Sequence, residues 1–124
     1  MTEDQLQMMV AKYLDTMGWR WFHCANERKT SPRTGGKLKA KGVKKGVPDV
    51  MIFEEWRHPM GCASLDAVEV GHGIAIELKS PKAPKKIPEH QLDWLKALSE
   101  RGWKTAVCRS LQEVIDVCSV LNRT

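Results

Sequence analysis

Residues 74–86 read "IAIELKSPKAPKK", and the first five of them decide the architecture. Ile74, Ala75, Ile76 and Leu78 have the make-up of a strand from the middle of a sheet, bounded by Gly73 before and a Pro-rich connector after. Within that strand sit Glu77 and Lys79. Successive strand side chains alternate between faces, so Glu77 and Lys79 project together while Ile76 and Leu78 point the other way. Charges on a core strand are costly unless something compensates them.

The neighbouring elements follow from this strand outward. After "SPKAPKKIP" the spacing predicts a helix over about 88–101, with Pro88 in its first turn, a Leu92, Leu95, Leu98 stripe and Gly102 past its end. "WKTAVC" (103–108) predicts a strand, so residues 73–108 have the form of a β-α-β crossover. Ser110 and Glu113 form a capping box for a last helix whose apolar face uses Leu111, Val114, Ile115, Cys118 and Leu121. Upstream, "PDVMIF" (48–53) predicts a strand that opens on a proline, and "WRWFHC" (19–24) another. Thr2 and Gln5 form a capping box for a first helix with a Leu6, Met9, Val10, Tyr13, Leu14, Met17 face, ended by Gly18. Residues 26–46 read as a long loop and 54–73 as a surface excursion or a hairpin extension. The order is α-β-β-β-α-β-α: one mixed α/β domain over residues 1–124, a mixed sheet flanked by helices with one more helix at the C-terminus.

The 124 residues are 42% apolar and 28% charged, the profile of a folded globular chain, and no apolar run approaches a bilayer's width. The N-terminus "MTEDQLQ" is acidic and polar, unlike a secretory signal, so a cytoplasmic location is expected. Cys24, Cys62, Cys108 and Cys118 show no C-x-x-C pairing and read as free thiols, mostly buried. His58, Cys62 and His72 could offer zinc donors but match no recognised zinc spacing.

The net charge is +5, and it is concentrated. From 28 to 46 the sequence "RKTSPRTGGKLKAKGVKKG" carries Arg28, Lys29, Arg33, Lys37, Lys39, Lys41, Lys44 and Lys45 with no acidic residue. Lys79, Lys82, Lys85 and Lys86 form a second cluster. Such segments gain from a polyanion, whose counterions are released on contact. The plainer alternative is a solvated basic loop without a partner.

Asp49 begins the strand that follows "GVP". If that strand pairs with 73–79 as a hairpin, Asp49 and Glu77 converge at one end of the sheet. Two carboxylates in contact repel unless a proton or cation lies between them. Hard oxygen donors favour Mg²⁺ or Mn²⁺ over zinc, and Lys79 alongside could hold a water or offset phosphate charge. Glu3 falls on the arc of Leu6, Val10 and Leu14, so it is either a further acid for the site or a first-turn charge favoured by the helix dipole.

"GVPDV", then "IELK", then "HQLDWLKALSERGWKTAV", together with "HCANER" before the basic loop, resemble the VRR-NUC family of the PD-(D/E)XK nuclease superfamily. The resemblance spans most of the chain. It implies a restriction-endonuclease-like core and a metal-dependent endonuclease. By position it implies Asp49, Glu77 and the Leu78 carbonyl as metal ligands, Lys79 as the catalytic lysine and Glu3 as the first-helix acid. Gln91 corresponds to a helix glutamine that orients water or the DNA backbone, and Asn26 to a frequent Asn. Small stand-alone members are similar to phage and bacterial proteins that dimerise and cut four-way DNA junctions. The expected partners are therefore branched DNA and a second copy, in a bacterial or phage-infected cell. The stretch between Asp49 and Glu77 exceeds the family's short hairpin, a departure that bears on the dimer surface or the DNA path. Two other readings stay open: a non-catalytic basic nucleic-acid-binding module, and a nuclease for flaps, ends or duplex DNA.

Overall fold

The computed structural model of the chain describes residues 1–24, 32–59 and 68–122. Among these, in chain order, are α1 (Glu3–Met17), β1 (Trp21–His23), α2 (Pro32–Ala40), β2 (Val50–Ile52), β3 (Trp56–Pro59), β4 (Val68–Gly71), β5 (Gly73–Leu78), α3 (Glu89–Glu100), β6 (Trp103–Cys108), α4 (Leu111–Val117) and a closing 3-10 turn, Cys118–Asn122. The main sheet runs β1-β2-β5-β6, and β3-β4 form a separate two-stranded sheet. β2 is antiparallel to β1 and to β5, whereas β5 and β6 are parallel, as the helix between them requires.

The alternation in "IAIEL" is realised in space. Ile74, Ile76 and Leu78 join Val50, Ile52 and Cys108 in one buried cluster with Leu6, Val10 and Leu14 of α1 and Val114 of α4. Each such aliphatic side chain contributes about 1.5–3 kcal/mol on full burial, so this face is what holds sheet and helices together. α3 packs on β6 and buries Leu95, which lies outside that cluster.

The capping signals in the sequence are largely met. Thr2 and Gln5 close the capping box of α1, and Gly18 ends it at φ 76° in the left-handed region. Ser110 accepts the Glu113 N–H, but the Glu113 carboxylate takes the N–H of Arg109 and so leaves the expected box half made. Pro88 sits at the N-cap of α3 rather than inside its first turn. Of the expected leucine stripe only Leu95 is buried; Leu92 is exposed, and Trp94 turns inward to donate its indole N–H to the Lys45 carbonyl. Met9 and Met17 are likewise exposed rather than part of the α1 core face.

The largest difference from expectation is α2, a helix inside the basic stretch read as a loop. Pro32 occupies its first position, and its end is a Schellman closure: Val43 N–H donates to the Leu38 carbonyl and Gly42 N–H to that of Lys39, with Gly42 at φ 101°. The hairpin reading of 54–73 is met by the β3-β4 pair. Asn26, Arg28, Lys29 and Cys62 lie outside the described residues. Of the suggested zinc donors, His72 packs its ring on Gly102, to whose carbonyl its own N–H donates. Cys108 and Cys118 are free, buried thiols, each pushed up to about 12 chiefly by that burial; Cys24 is free and half-buried. Among the described residues no helix is long and apolar enough to cross a membrane.

Candidate active site

β2 pairs with β5 so that Val50 lies opposite Ile76. One step further along the same register sets Asp49 opposite Glu77 and Pro48 opposite Leu78. Directly opposed residues place their Cβ atoms about 4.5–5.5 Å apart on one face, so the two carboxylates meet on the side of the sheet away from the aliphatic cluster. Both side chains are 1% exposed. Burying even one carboxylate costs on the order of several kcal/mol, and here two share a sheet end.

Local chemistry fixes Asp49. Its Oδ2 accepts the Leu78 N–H at 2.8 Å, taking a donor at the point where the ladder runs out against Pro48. Its carbonyl accepts the Cys24 N–H at 2.8 Å, and His23 Nδ1, 2.9 Å from the same oxygen, is thereby the protonated ring nitrogen. Pro48 is buried, and the preceding Gly46, at φ 88°, lies so close to His90 that a Cβ there would meet its carbonyl at 2.7 Å. The "GVPDV" turn is therefore wedged between β1 and the start of α3. On Glu77, Oε1 lies 3.7 Å from the Lys79 Nζ, and the lysine side chain is only 15% exposed. The three side chains sum to one negative charge when both acids are ionised. The field of that pair reaches its neighbour: the Cys24 thiol is pushed up by burial first, then by Asp49 and Glu77.

Gln91 sits in the first turn of α3, three residues before Trp94 and so on the same helix face. Since His90 and Trp94 contact Gly46 and Lys45, that face looks toward the turn carrying Asp49. The Gln91 Oε1 is buried and has no hydrogen-bond partner among the described residues. Glu3 belongs to the helix covering the aliphatic face and is half-buried. Among the described residues no three His, Cys, Asp or Glu side chains gather closely enough to hold an ion, so Glu3 is not assembled with Asp49 and Glu77 into such a group.

The donors present suit one kind of metal. Mg²⁺ and Mn²⁺ take hard oxygen ligands, and Mg²⁺ commonly uses one or two carboxylates while keeping several waters or taking phosphate oxygens. Two buried carboxylates beside the Leu78 main chain fit that pattern.

The expected phosphate-gripping lysines are placed as surface. Lys37, Lys39, Lys41, Lys44 and Lys45 are exposed on α2 and the turn after it, as are Lys82, Lys85 and Lys86 on the β5–α3 connector. Arg33 lies on α2. One residue that the sequence did not single out stands beside this connector: Arg109 donates to the carbonyls of Ser80, Ala83 and Pro84. Only its position, at the end of the strand parallel to β5, hinted at it.

Residues 5–112 match the VRR-NUC domain model. A solved structure described as a VRR_NUC domain protein shares the fold, with a TM-score of 0.61 at 22% identity over 96% of this chain and 86% of that one. No curated protein sequence is significantly similar to the chain.

Proposed function

The chain belongs to the VRR-NUC domain family, and from that premise we propose that it is one nuclease domain, a Mg²⁺- or Mn²⁺-dependent DNA endonuclease acting as a homodimer on branched DNA such as four-way junctions. The observation that carries this reading is the opposition of Asp49 and Glu77 on adjacent strands, both buried, with Lys79 3.7 Å from Glu77.

Asp49, Glu77 and the Leu78 carbonyl would hold the divalent cation. When bound, the cation would neutralise the phosphate oxygens and make water a better nucleophile. Lys79 donates to the attacking water and offsets the charge that gathers on the phosphoryl group as the P–O bond to the leaving strand breaks. Burial of the carboxylates excludes bulk water and strengthens these interactions. Gln91 orients the water or the scissile backbone. Arg33, the α2 lysines, Lys44, Lys45 and the connector lysines grip phosphates, which gives affinity without reading bases. A two-fold dimer would present two such sites to opposing strands of a symmetric junction. The cytoplasm of a bacterial or phage-infected cell is the setting this activity suits.

The test is incubation of the full chain with labelled four-way junction, nicked flap and linear duplex, each with Mg²⁺, Mn²⁺ or EDTA. Paired, metal-dependent cuts near the branch point are expected on the junction. Equal cutting of all three substrates would remove the junction preference. Binding without cleavage under every metal condition would leave a basic nucleic-acid-binding module instead.

A further inference from the structure

The connector 79–86 carries four lysines and two prolines, and its backbone is tied down. Ala83 N–H donates to the Ser80 carbonyl at 3.0 Å and Lys82 N–H to the Ser80 hydroxyl at 3.2 Å, closing a tight turn. Arg109 then gathers the remaining polar backbone: its Nη1 donates to Ser80 at 3.2 Å and Ala83 at 2.9 Å, and its Nη2 to Pro84 at 2.9 Å. The residue itself is anchored at the end of β6, where Lys79 N–H bonds the Cys108 carbonyl and the Glu113 carboxylate accepts the Arg109 N–H.

A fifth cation beside Lys79, Lys82, Lys85 and Lys86 is electrostatically unfavourable by itself. Charge therefore does not account for Arg109; geometry does. A planar guanidinium presents several N–H groups in a rigid fork, which suits three carbonyls converging from one turn, and an ammonium has no such fork. With the carbonyls turned inward, Lys82, Lys85 and Lys86 are left on the exposed outer side.

We propose that Arg109 is a positioning residue that pre-organises the 80–86 connector as a DNA-backbone-binding arm beside Lys79, its guanidinium spent on the chain's own carbonyls rather than on phosphate. This rests on the reading of DNA as the partner. An arm already ordered in the free protein loses less conformational freedom on binding, so its lysines bind phosphate more tightly than the same lysines on a loose loop.

The experiment compares wild type with Arg109→Lys and Arg109→Met by amide hydrogen exchange without DNA, and by four-way-junction binding in EDTA across a salt series. In both variants the Lys82 and Ala83 amides should lose protection while those of Ile76 and Val107 keep theirs. Junction affinity should fall about tenfold in both, with the slope of log affinity against log salt unchanged. Replacing Lys82, Lys85 and Lys86 together by Gln should instead flatten that slope by about two to three, the count of lost phosphate contacts. A slope lowered by about one in Arg109→Met alone would make Arg109 a phosphate ligand and overturn the proposal. Wild-type affinity in Arg109→Lys would show that charge suffices and would overturn it too. Loss of protection throughout β5 and β6 would make Arg109 a residue of the core fold and likewise overturn it. If wild-type protein binds no DNA even at low salt, the DNA reading fails for the whole chain, and this arm's partner with it.

Discussion

The two faces of the main sheet obey opposite rules. On one, Val50, Ile52, Ile74, Ile76 and Leu78 are fully buried against α1 and α4 and carry no polar side-chain atom. On the other, at the end where β2 begins and β5 stops, two carboxylates are buried just as deeply. The first arrangement lowers the free energy of the fold; the second raises it unless a cation or proton joins the pair. A single strand, β5, supplies both, because a period of two assigns neighbouring residues to different faces. Stability and chemistry can thus be changed separately by substitutions one residue apart.

The largest expected separation is at position 77 against position 76. Asp49→Ala or Glu77→Ala should cut the cleavage rate by about a thousandfold or more, equivalent to about 4 kcal/mol of barrier. The isosteres Asp49→Asn and Glu77→Gln should cut it as far with the melting temperature held, because each keeps its hydrogen-bonding shape while relieving the like charge. Ile76→Ala should do the reverse: about 2–5 kcal/mol lost in urea unfolding, with near-normal activity per folded molecule. If Glu77→Ala cleaves normally, or Ile76→Ala leaves stability untouched, the division of labour between the faces fails.

Next in size is a contrast between buried and exposed charge. Neutralising Lys37, Lys39, Lys41, Lys44 and Lys45 should weaken DNA binding and flatten its salt dependence by up to about four or five, while leaving thermal stability within about 0.5 kcal/mol. An unchanged salt slope would remove α2 and its following turn from the DNA-binding surface.

The smallest effect concerns the aliphatic face alone. Cys108 is buried there and its thiol is pushed up to about 12, mainly by burial. A raised folded-state value means that the folded chain keeps its proton where the unfolded chain releases it. This contribution is complete below about pH 9 and is lost as pH climbs toward about 12. Cys108→Ala should therefore show a shallower decline in stability above pH 9 than wild type, measured by denaturant unfolding. An identical decline would place the titrating group elsewhere.

How far the sequence disclosed this molecule depends on the range of the interactions involved. β5 was legible because alternation and the odd Glu77 are local features, and α1 because Thr2, Gln5 and Gly18 each carry a cap signal within a few residues. The convergence of Asp49 on Glu77 followed from one assumption, antiparallel pairing of two strands, and the register then did the rest. α2 was missed because its Gly-Gly pair and unrelieved positive charge argue against a helix, and its one clear signal, Gly42 as a helix stop, looks like any loop glycine. Trp94 turning to Lys45, and Arg109 closing on carbonyls more than twenty residues away, depend on backbone positions that only the assembled fold supplies.

The central claim is that the acidic pair exists to share a divalent cation. Electron paramagnetic resonance of Mn²⁺ titrated into the protein, alone and with a non-cleavable phosphorothioate junction, tests it without relying on turnover. Wild type should remove Mn²⁺ from the free-ion signal, more strongly with DNA present, and Asp49→Asn or Glu77→Gln should abolish that uptake while still binding the junction. Mn²⁺ uptake by Asp49→Asn and Glu77→Gln equal to that of wild type would contradict the claim.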